Sequence, residues 1–337
     1  MYEIDFLPVG DEGQSGDAIA ARFTRPDTGG YGYLVVDAGF QDDGEALVEH
    51  VQTYYKTNSI DVAIVTHPDG DHIGGMGTVI RELAVESLLI HRLGAHGGET
   101  LPAAAAVDDL IKLARSRGTA VTEPFAGLSA FGGALKVLGP DLDWYRQLVA
   151  DQVAEEPRRS TARAGLLEAV HAAASRFIAA LPVEVPFGDA GGTNPRNNTS
   201  VISMLEVAGH RMFFTGDAGV PSLDRAWDWV EASGLDATSP QFVQIPHAGS
   251  RHNASSAWLD RLLGEPTLSE ARTAYVSVAS KSTKHPSPRV VNAYIRRGCR
   301  VHETRGRTIC HRGDGAPIRD AWRAISPLEP MDESDEE

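Results

Sequence analysis

The sequence predicts an α/β fold in which two β-sheets pack face to face with helices on the outside, an αββα sandwich. Short apolar segments rich in β-branched residues recur along the chain, and amphipathic segments with helical spacing separate them. The strands fall into two groups, one in the N-terminal half and one from Thr199 onward. Several of them end in His or Asp, and packing the two groups as sheets brings those ends together at one edge. Nucleotide-binding motifs in a strand-to-helix context are not apparent.

The first half of the chain alternates between strands and helices. Residues 2–8 alternate apolar and polar side chains, as an opening strand does, and a Gly-rich turn follows. An amphipathic helix is predicted over 42–56, a second helical segment ends at Leu83, and a third covers 102–117. Further strands are predicted at 18–24, 31–36, 60–65, 87–93, 120–123 and 134–138.

The second half opens with a change of composition. Residues from 141 to about 181 are rich in Ala, Arg, Glu and Leu with helical spacing, which predicts a helical insertion of two helices broken near Pro157. Strands are then predicted at 201–207, 211–215, 242–247 and 274–279, helices at 223–232, 257–263 and 288–295, and a final hairpin at 300–304 and 307–311. We therefore expect one domain over residues 1–312 and a separate C-terminal segment over 313–337.

Charge and composition limit the class of protein. The 337 residues carry 31 Lys and Arg against 46 Asp and Glu, a formal net charge of −15. Acidic residues crowd the C-terminal segment, which we expect to end in a disordered tail. This balance argues against a surface that coats nucleic acid broadly, but a nuclease with its bases concentrated at a cleft is compatible with it. Two cysteines are too few for a disulfide framework, and without a signal-peptide pattern or a long apolar run we expect a cytoplasmic protein that does not bind membranes.

One stretch combines four side chains of the metal-ligand type. His67, Asp69, Asp71 and His72 lie within six residues, between a predicted buried strand and a predicted helix. Two imidazoles and two carboxylates in a tight, glycine-containing loop can point to one side and hold a divalent cation such as zinc or manganese. The alternative is a polar loop whose His and Asp only cap the following helix. The density of ligand residues favours the metal site.

The pattern His67-x-Asp69-x-Asp71-His72, followed by Ile-Gly-Gly, resembles the metal motif of the metallo-β-lactamase superfamily. Most members have His at the second position, and Asp69 there resembles the branch that contains the hydrolase domain of the DNA-uptake protein ComEC. The resemblance covers most of residues 1–312 outside the helical insertion. It implies the metallo-β-lactamase form of the αββα sandwich, a hydrolase activity, and one or two divalent metal ions, zinc or manganese.

The resemblance also implies roles for residues farther along the chain. Asp37, in Val-Val-Asp-Ala-Gly, would support the ligand loops from behind the metals, although an ordinary turn Asp has the same pattern. Asp217, in Thr-Gly-Asp, would bridge two cations, and His247, in Pro-His-Ala-Gly-Ser, would bind one of them. Many members have a His before the first strand of the hairpin at 201–215. This sequence has Asn197-Asn198 in that stretch, and we assign Asn198 as a weak, neutral ligand.

A basic loop after the strand at 274–279 supplies further candidates. Lys281 and Lys284, together with Arg251, would contact a substrate phosphate, and His285 is the candidate acid for a departing oxygen. The alternative is a solvated basic loop. Asp71 is the second candidate catalytic residue, besides being a metal ligand.

The leading hypothesis is a metal-dependent phosphodiesterase, in particular a nuclease that cleaves DNA or RNA. His67, Asp69 and the asparagine oxygen would hold one cation, Asp71, His72 and His247 the other, and Asp217 would lie between them. Water activated by the metals would attack the phosphorus. A regulatory protein partner would restrain such a nuclease.

Two alternatives stay open. A hydrolase of a small ester, lactone or amide needs an enclosed apolar pocket, whereas a nuclease needs an open groove lined by bases. A metal-binding scaffold without catalysis is the third class, which the missing His and the replacement of a second His by Ala248 keep in consideration.

Overall fold

The computed structural model of the chain describes residues 1–11, 13–162, 184–189, 192–267, 272–319 and 322–334. They form two seven-stranded sheets with helices outside, as the sequence predicted. The described strands are β1 (Tyr2–Phe6), β2 (Ala18–Thr24), β3 (Tyr31–Ala38), β4 (Ser59–Ile64), β5 (Ala84–Leu89), β6 (Ala120–Thr122), β7 (Ser129–Ala130), β8 (Leu135–Gly139), β9 (Ile202–Val207), β10 (His210–Phe214), β11 (Phe242–Gln244), β12 (Arg272–Val276), β13 (Cys299–Glu303) and β14 (Ile309–Arg312). The described α-helices are α1 (Asp43–His50), α2 (Gly70–Ile73), α3 (Met76–Glu82), α4 (Ala104–Ser116), α5 (Leu142–Ala162), α6 (Val220–Ser233), α7 (Ser256–Leu263) and α8 (Pro288–Arg296).

The strand order brings the ends of several strands to one edge. The first sheet runs β14-β1-β2-β3-β4-β5-β6 and the second β13-β12-β11-β10-β9-β8-β7. Strands β3 to β6 are parallel to one another, and so are β10 to β13. Because the carboxyl ends of parallel strands lie at the same edge of a sheet, the loops after β3 and β4 can meet those after β10 and β11.

Three apolar layers hold the sandwich together. Between the sheets, Phe6 and Phe242 are among the fully buried aromatic side chains. Leu47 of α1 belongs to the cluster under the helices of the first sheet, and Trp258 of α7 belongs to the cluster under the helices of the second. Each such side chain contributes about 1.5–3 kcal/mol when it is fully buried, so both ligand-bearing edges rest on rigid packing.

The final two strands do not form the predicted hairpin. β13 pairs parallel with β12 at the edge of the second sheet, whereas β14 pairs antiparallel with β1 at the edge of the first. The connection between them therefore crosses from one sheet to the other. The local pattern of two short strands and a glycine turn fits both arrangements, because it contains no information about which distant strand offers a partner.

The helical insertion is described only in its first part. α5 continues past Pro157, where we expected a break, to Ala162. A proline removes one main-chain hydrogen bond and bends a helix, but the turns on either side can continue. Residues 163–181, the rest of the predicted insertion, lie outside the described residues. Among the helices of the described ranges, none is long and apolar enough to cross a membrane.

The C-terminal segment differs from the predicted disordered tail as far as residue 333. The Leu328 N–H donates to a carbonyl of β13 at 2.7 Å, and the Asn292 side chain bonds both main-chain polar groups of Met331, at 2.7 and 2.9 Å. Glu333 forms an ion pair of 2.7 Å with Arg296 of α8. The acidic side chain of Glu333 thus packs against a buried arginine, which the composition of the tail does not reveal. Residues 335–337 lie outside the described ranges.

Candidate metal centre

Loops that follow four buried strands carry the candidate ligands. His67 and His72 come after β4, Asp217 after β10 and His247 after β11, and Asp37 stands at the end of β3. The chain turns after β4 into the single-turn helix α2, in which the His72 N–H donates to the carbonyl of residue 69 at 2.9 Å. Each loop leaves a strand that is fixed in a sheet, so the positions of these side chains are set by the sandwich.

Asp37 fixes the orientation of His72. Its Oδ1 accepts a hydrogen bond from the Thr66 N–H at 2.8 Å, and its Oδ2 accepts from the Thr66 hydroxyl at 2.6 Å and from His72 Nδ1 at 2.8 Å. Because a carboxylate only accepts hydrogen bonds, His72 Nδ1 carries the proton and Nε2 presents its lone pair. These contacts place Asp37 behind the candidate ligands, where the resemblance expects it.

His67 receives its orientation through the same threonine. The Thr66 hydroxyl gives its proton to Asp37, so its oxygen accepts from His67 Nδ1 at 3.1 Å. The Ser200 hydroxyl lies 3.3 Å from the same nitrogen. His67 Nε2 is therefore the free lone pair, as it is in His72.

An asparagine performs the same role for His247. Asn253 Nδ2 donates to the carbonyl of Asp217 at 2.8 Å, which turns Asn253 Oδ1 toward His247 Nδ1 at 3.0 Å. The amide oxygen accepts, so His247 Nδ1 carries the proton and Nε2 holds the lone pair. Three imidazoles are thus held in the same tautomer by three different partners.

The three Nε2 atoms converge on the carboxylate of Asp217. The nearest carboxylate oxygen lies 3.8 Å from His67, 3.5 Å from His72 and 3.6 Å from His247. His67 Nε2, His72 Nε2 and the Asp217 carboxylate therefore lie close enough together for one cation with bonds of about 2.0–2.2 Å to contact all three. Asp69 Oδ2 is 3.7 Å from His67 Nε2 on the other side.

The electrostatics of the cluster also suit a cation. Burial alone would raise the pKa of Asp217, but His72 and His247 beside it outweigh that effect and hold the pKa well below its usual range. Burial would lower the pKa of His72, yet the carboxylates of Asp217 and Asp37 raise it well above the ordinary value. The pocket strongly stabilises positive charge, which a divalent ion supplies without protonating its ligands.

Unpaired buried atoms indicate what the cluster lacks. His67 Nε2, His72 Nε2 and Asn197 Oδ1 are buried and have no hydrogen-bond partner among the described residues. Each such group costs about 1–3 kcal/mol when it stays unpaired. Two imidazole nitrogens, one amide oxygen and the adjacent carboxylates are a donor set that zinc or manganese accepts, so the residues present fit a divalent cation.

A cavity of about 640 Å³ opens beside these ligands. Its polar lining includes Asp69, Asp71, Arg196, His247 and His285, and its apolar lining includes Phe40, Pro68, Pro102, Ala103 and Ala248. The volume lies in the range of small-ligand sites. Candidate ligands and candidate catalytic groups therefore face one space.

The two candidate catalytic residues border this cavity. Burial raises the pKa of Asp71, and the carboxylate of Asp217 raises it further. Burial lowers the pKa of His285, and His247 lowers it further; the two rings stack with centroids 6.4 Å apart. His285 Nδ1 is buried and has no partner within the described ranges. His285 is thus placed to exchange a proton with a group in the cavity.

Asn198, the predicted neutral ligand, faces away from the cluster. Its Oδ1 accepts from the Gly219 N–H at 3.0 Å and its Nδ2 donates to the Thr193 carbonyl at 3.0 Å. Asn197 instead lies at the site, with Nδ2 3.4 Å from Asp217 Oδ2. The assignment to Asn198 is corrected to Asn197, because both side chains leave the same short 3₁₀ turn in different directions.

The predicted phosphate contacts do not line the cavity. Arg251, Lys281 and Lys284 are absent from its described lining, and both lysines are exposed. Lys284 adjoins His285, and its charge contributes to the lowered pKa of that residue. Among the described lining residues, the one Arg or Lys is Arg196, whose Nε lies 2.6 Å from Asp69 Oδ1. Arg196 directly precedes the Asn-Asn pair, which is the one signal that could have found it.

Asp17 is a second residue that the sequence did not reveal. It is buried before β2, its Oδ2 accepts from Gln244 Nε2 at 2.8 Å, and it lies 3.8 Å from His72 Nδ1. Gln244 Oε1 in turn accepts from the N–H groups of Thr215 and Gly216, at 2.9 and 3.2 Å. This chain ties the ligand loops of the two sheets together. Burial raises the pKa of Asp17 to about 6.

Comparisons with known proteins found one family match over part of the chain and similar solved structures. Residues 28–147 match the family model of the metallo-beta-lactamase superfamily. A putative metallo-beta-lactamase from Thermotoga maritima shares 11% identity at a TM-score of 0.36, over 69% of this chain and 92% of the other. A diphosphatase of the PhnP family shares 10% identity at a TM-score of 0.43, over 93% and 98% of the two chains. Zinc-bound PqqB from Methylobacterium extorquens shares 11% identity at a TM-score of 0.43, over 91% and 99%.

The search of curated proteins gave no match. The family match is at the level of the superfamily and covers residues 28–147. The narrower ComEC-type resemblance stays a prediction.

Proposed function

We propose that this protein is a metal-dependent hydrolase that cleaves phosphodiesters, with nucleic acid as the leading substrate class. The observation that carries the proposal is the convergence of three imidazole lone pairs on Asp217, beside a cavity whose wall contains Arg196. His67, His72, His247 and Asp217 would hold the metal. Bound divalent cations lower the pKa of water and neutralise negative charge that develops on a reacting phosphate.

The chain's own residues supply binding and proton transfer. Arg196 would hold a phosphate oxygen; its side chain is 38% exposed, so it can turn from Asp69 toward a substrate. A guanidinium binds phosphate through two parallel hydrogen bonds and fixes its orientation. His285, across the same cavity, would exchange the proton of the departing oxygen. Lys284 adds positive charge next to His285 and favours an anionic substrate.

A second candidate is a hydrolase of a small carboxylic ester, lactone or amide. It is favoured by the apolar residues of the cavity lining, which include Phe40, Pro68 and Pro102, and by the small number of basic residues in the described lining. The metals and the oriented imidazoles would serve both reactions, because each requires an activated water. Arg196 distinguishes them, since a neutral ester makes no use of a cation at this position.

The test is hydrolysis by the full-length protein after metal removal and resupply with manganese, magnesium or zinc. Substrates are labelled single- and double-stranded DNA and RNA, an aryl phosphodiester and an aryl carboxylic ester. We expect metal-dependent cleavage of phosphodiesters that falls at least about 100-fold in His72→Ala. His210→Ala is the matched control, because it removes an exposed imidazole that is no part of the cavity lining.

Arg196→Gln separates the two candidates. For a phosphodiester we expect kcat/KM to fall about 10- to 100-fold, the value of one charge-assisted contact. Cleavage of the carboxylic ester alone, unaffected by Arg196→Gln, would replace the proposal by the second candidate. Stoichiometric metal binding without hydrolysis of any substrate would reject both.

A further inference from the structure

The edge at which both sheets end holds a second cavity. β13 closes the second sheet and β14 the first, and the chain crosses between them over residues 304–308. A cavity of about 320 Å³ is lined by residues of both strands, and its lining shares no residue with that of the metal-centre cavity. The two spaces are therefore distinct sites of the described structure.

This cavity is lined by cations in a protein of strongly negative net charge. Its lining includes Arg300, His302, His311, Arg312, Arg319 and Arg323, and no Asp or Glu of the described ranges belongs to it. The whole chain carries a formal charge of −15. The four arginines therefore bring positive side chains together at one place of an acidic protein.

Three of these arginines form no ion pair with another side chain of the described structure. Arg319 is held by the buried carboxylate of Asp5, at 2.8 and 2.9 Å, and its charge is compensated. Arg312 donates to the Pro317 carbonyl at 3.2 Å and forms no ion pair with a side chain of the described ranges. Arg300 and Arg323 are exposed and take part in none of the ion pairs between described side chains.

The two histidines add hydrogen-bonding groups. Burial lowers the pKa of His302, and the charge of Arg300 lowers it further. Burial also lowers the pKa of His311 to about 4, helped by His210, His302 and Arg300. Both rings are neutral at pH 7 and can donate an N–H to an anion without repelling the arginines.

An adjoining cavity extends the site past an aromatic pair. Its volume is about 680 Å³, it shares Trp322 and Arg323 with the first cavity, and it adds Arg307 and Tyr54. The rings of Tyr54 and Trp322 meet edge to face at 5.3 Å, and Arg319 lies 4.4 Å from the Trp322 ring centre. We call the two cavities together the edge groove.

We propose that the edge groove binds a small anion with at least two linked phosphates, of the nucleoside polyphosphate class. Separated guanidinium groups suit an extended anion better than a single carboxylate, because each can take one phosphate through paired hydrogen bonds. The combined space suits a small ligand, and the faces of Tyr54 and Trp322 that Arg319 does not cover offer a surface for a base. The site is separate from the metal centre and does not depend on the function proposed for it.

Calorimetric titration of the full-length protein with pyrophosphate, inorganic tripolyphosphate and a nucleoside triphosphate tests the proposal. We expect saturable binding of all three, weakened at least about tenfold in Arg300→Gln and further in Arg300→Gln/Arg323→Gln. Arg115→Gln is the charge-matched control, an exposed arginine of α4. His72→Ala is titrated in parallel, and retained binding there separates the edge groove from phosphate capture at the metal centre.

Each outcome decides the matter. Tighter binding of the nucleoside triphosphate than of inorganic tripolyphosphate, which has the same phosphate chain, supports a base at the aromatic pair, and equal binding overturns the assignment to the nucleoside class. Binding that persists in the Arg300→Gln/Arg323→Gln protein, or that disappears in His72→Ala, overturns the proposal. Binding of a short oligonucleotide with none of these small anions also overturns it, because the groove is then a nucleic-acid track.

Discussion

Replacement of Asp37 by asparagine tests whether a buried carboxylate sets the metal affinity through His72. Asp37 is fully buried and accepts three hydrogen bonds, two from Thr66 and one from His72 Nδ1. Its φ is +57°, a conformation that asparagine tolerates better than most residues. The substitution therefore preserves shape and backbone and changes the hydrogen-bonding capacity and the charge of the side chain.

The structure gives the magnitude. An amide has one oxygen, so one of the two oxygen positions of Asp37 becomes an NH₂ group. If the NH₂ replaces Oδ1, the Thr66 N–H loses its acceptor, at a cost of about 1–3 kcal/mol in the free energy of unfolding. If it replaces Oδ2, His72 Nδ1 must accept, its proton moves to Nε2, and the lone pair for the metal is lost. We expect metal affinity to fall about 10- to 100-fold.

The assay is competition for zinc or manganese against a chelator, with denaturant unfolding of the metal-free protein beside it. Asp109→Asn is the matched control, because it makes the same change at an exposed position of α4. A metal affinity of Asp37→Asn within twofold of the unmodified protein would refute the reasoning. The tautomer of His72 would then not depend on Asp37.

Two further predictions concern stability. In Gly16→Ala the new Cβ would lie 2.0 Å from the main-chain oxygen of Asp71, so the loop that carries Asp71 must shift. We expect the free energy of unfolding, measured by denaturant melts, to fall by about 1–3 kcal/mol, and metal binding to weaken. Gly70→Ala is the control with a small expected effect, because its new Cβ meets open space. Burial would raise the pKa of Asp5, but hydrogen bonds led by that from His50 lower it to about 2. The folded-state pKa lies below the unfolded value, so this carboxylate adds about 2 kcal/mol above pH 4 that is lost as the pH falls toward 2; unfolding of Asp5→Asn followed against pH should lack this slope.

The sequence predicted the positions of the strands better than it predicted which strands pair with one another. Local patterns located nearly every described strand to within a few residues, because alternation and β-branched composition are properties of neighbouring residues. They did not assign β14 to the first sheet, because the pairing with β1 joins residues about 300 positions apart. The two-residue strand β7 was missed for a related reason: it is too short for any periodic pattern.

The candidate site shows the same division. Candidate ligands whose direction is fixed by a strand end, such as His67 and Asp217, lie close together in the structure. Asn197 and Asn198 could not be distinguished by type, since one turn of 3₁₀ helix sends them to opposite sides. Lys281 and Lys284 were predicted as phosphate contacts because they lie in a basic stretch of sequence, and such a stretch does not show which way the side chains point. Arg196 was overlooked because no other basic residue stands beside it in the sequence.

A buried network of hydrogen bonds behind the candidate ligands explains how a few residues can fix the geometry of the site. Thr66 connects His67 to Asp37, and Asp17 connects the surroundings of His72 to Gln244, which caps the main chain after β10. Each group in this network is buried, so a donor or acceptor that loses its partner is penalised by about 1–3 kcal/mol. Motion of one ligand loop would break several of these bonds at once. The imidazoles are therefore held in one tautomer and one direction by the chain itself, so a divalent ion bound there would meet side chains that are already oriented.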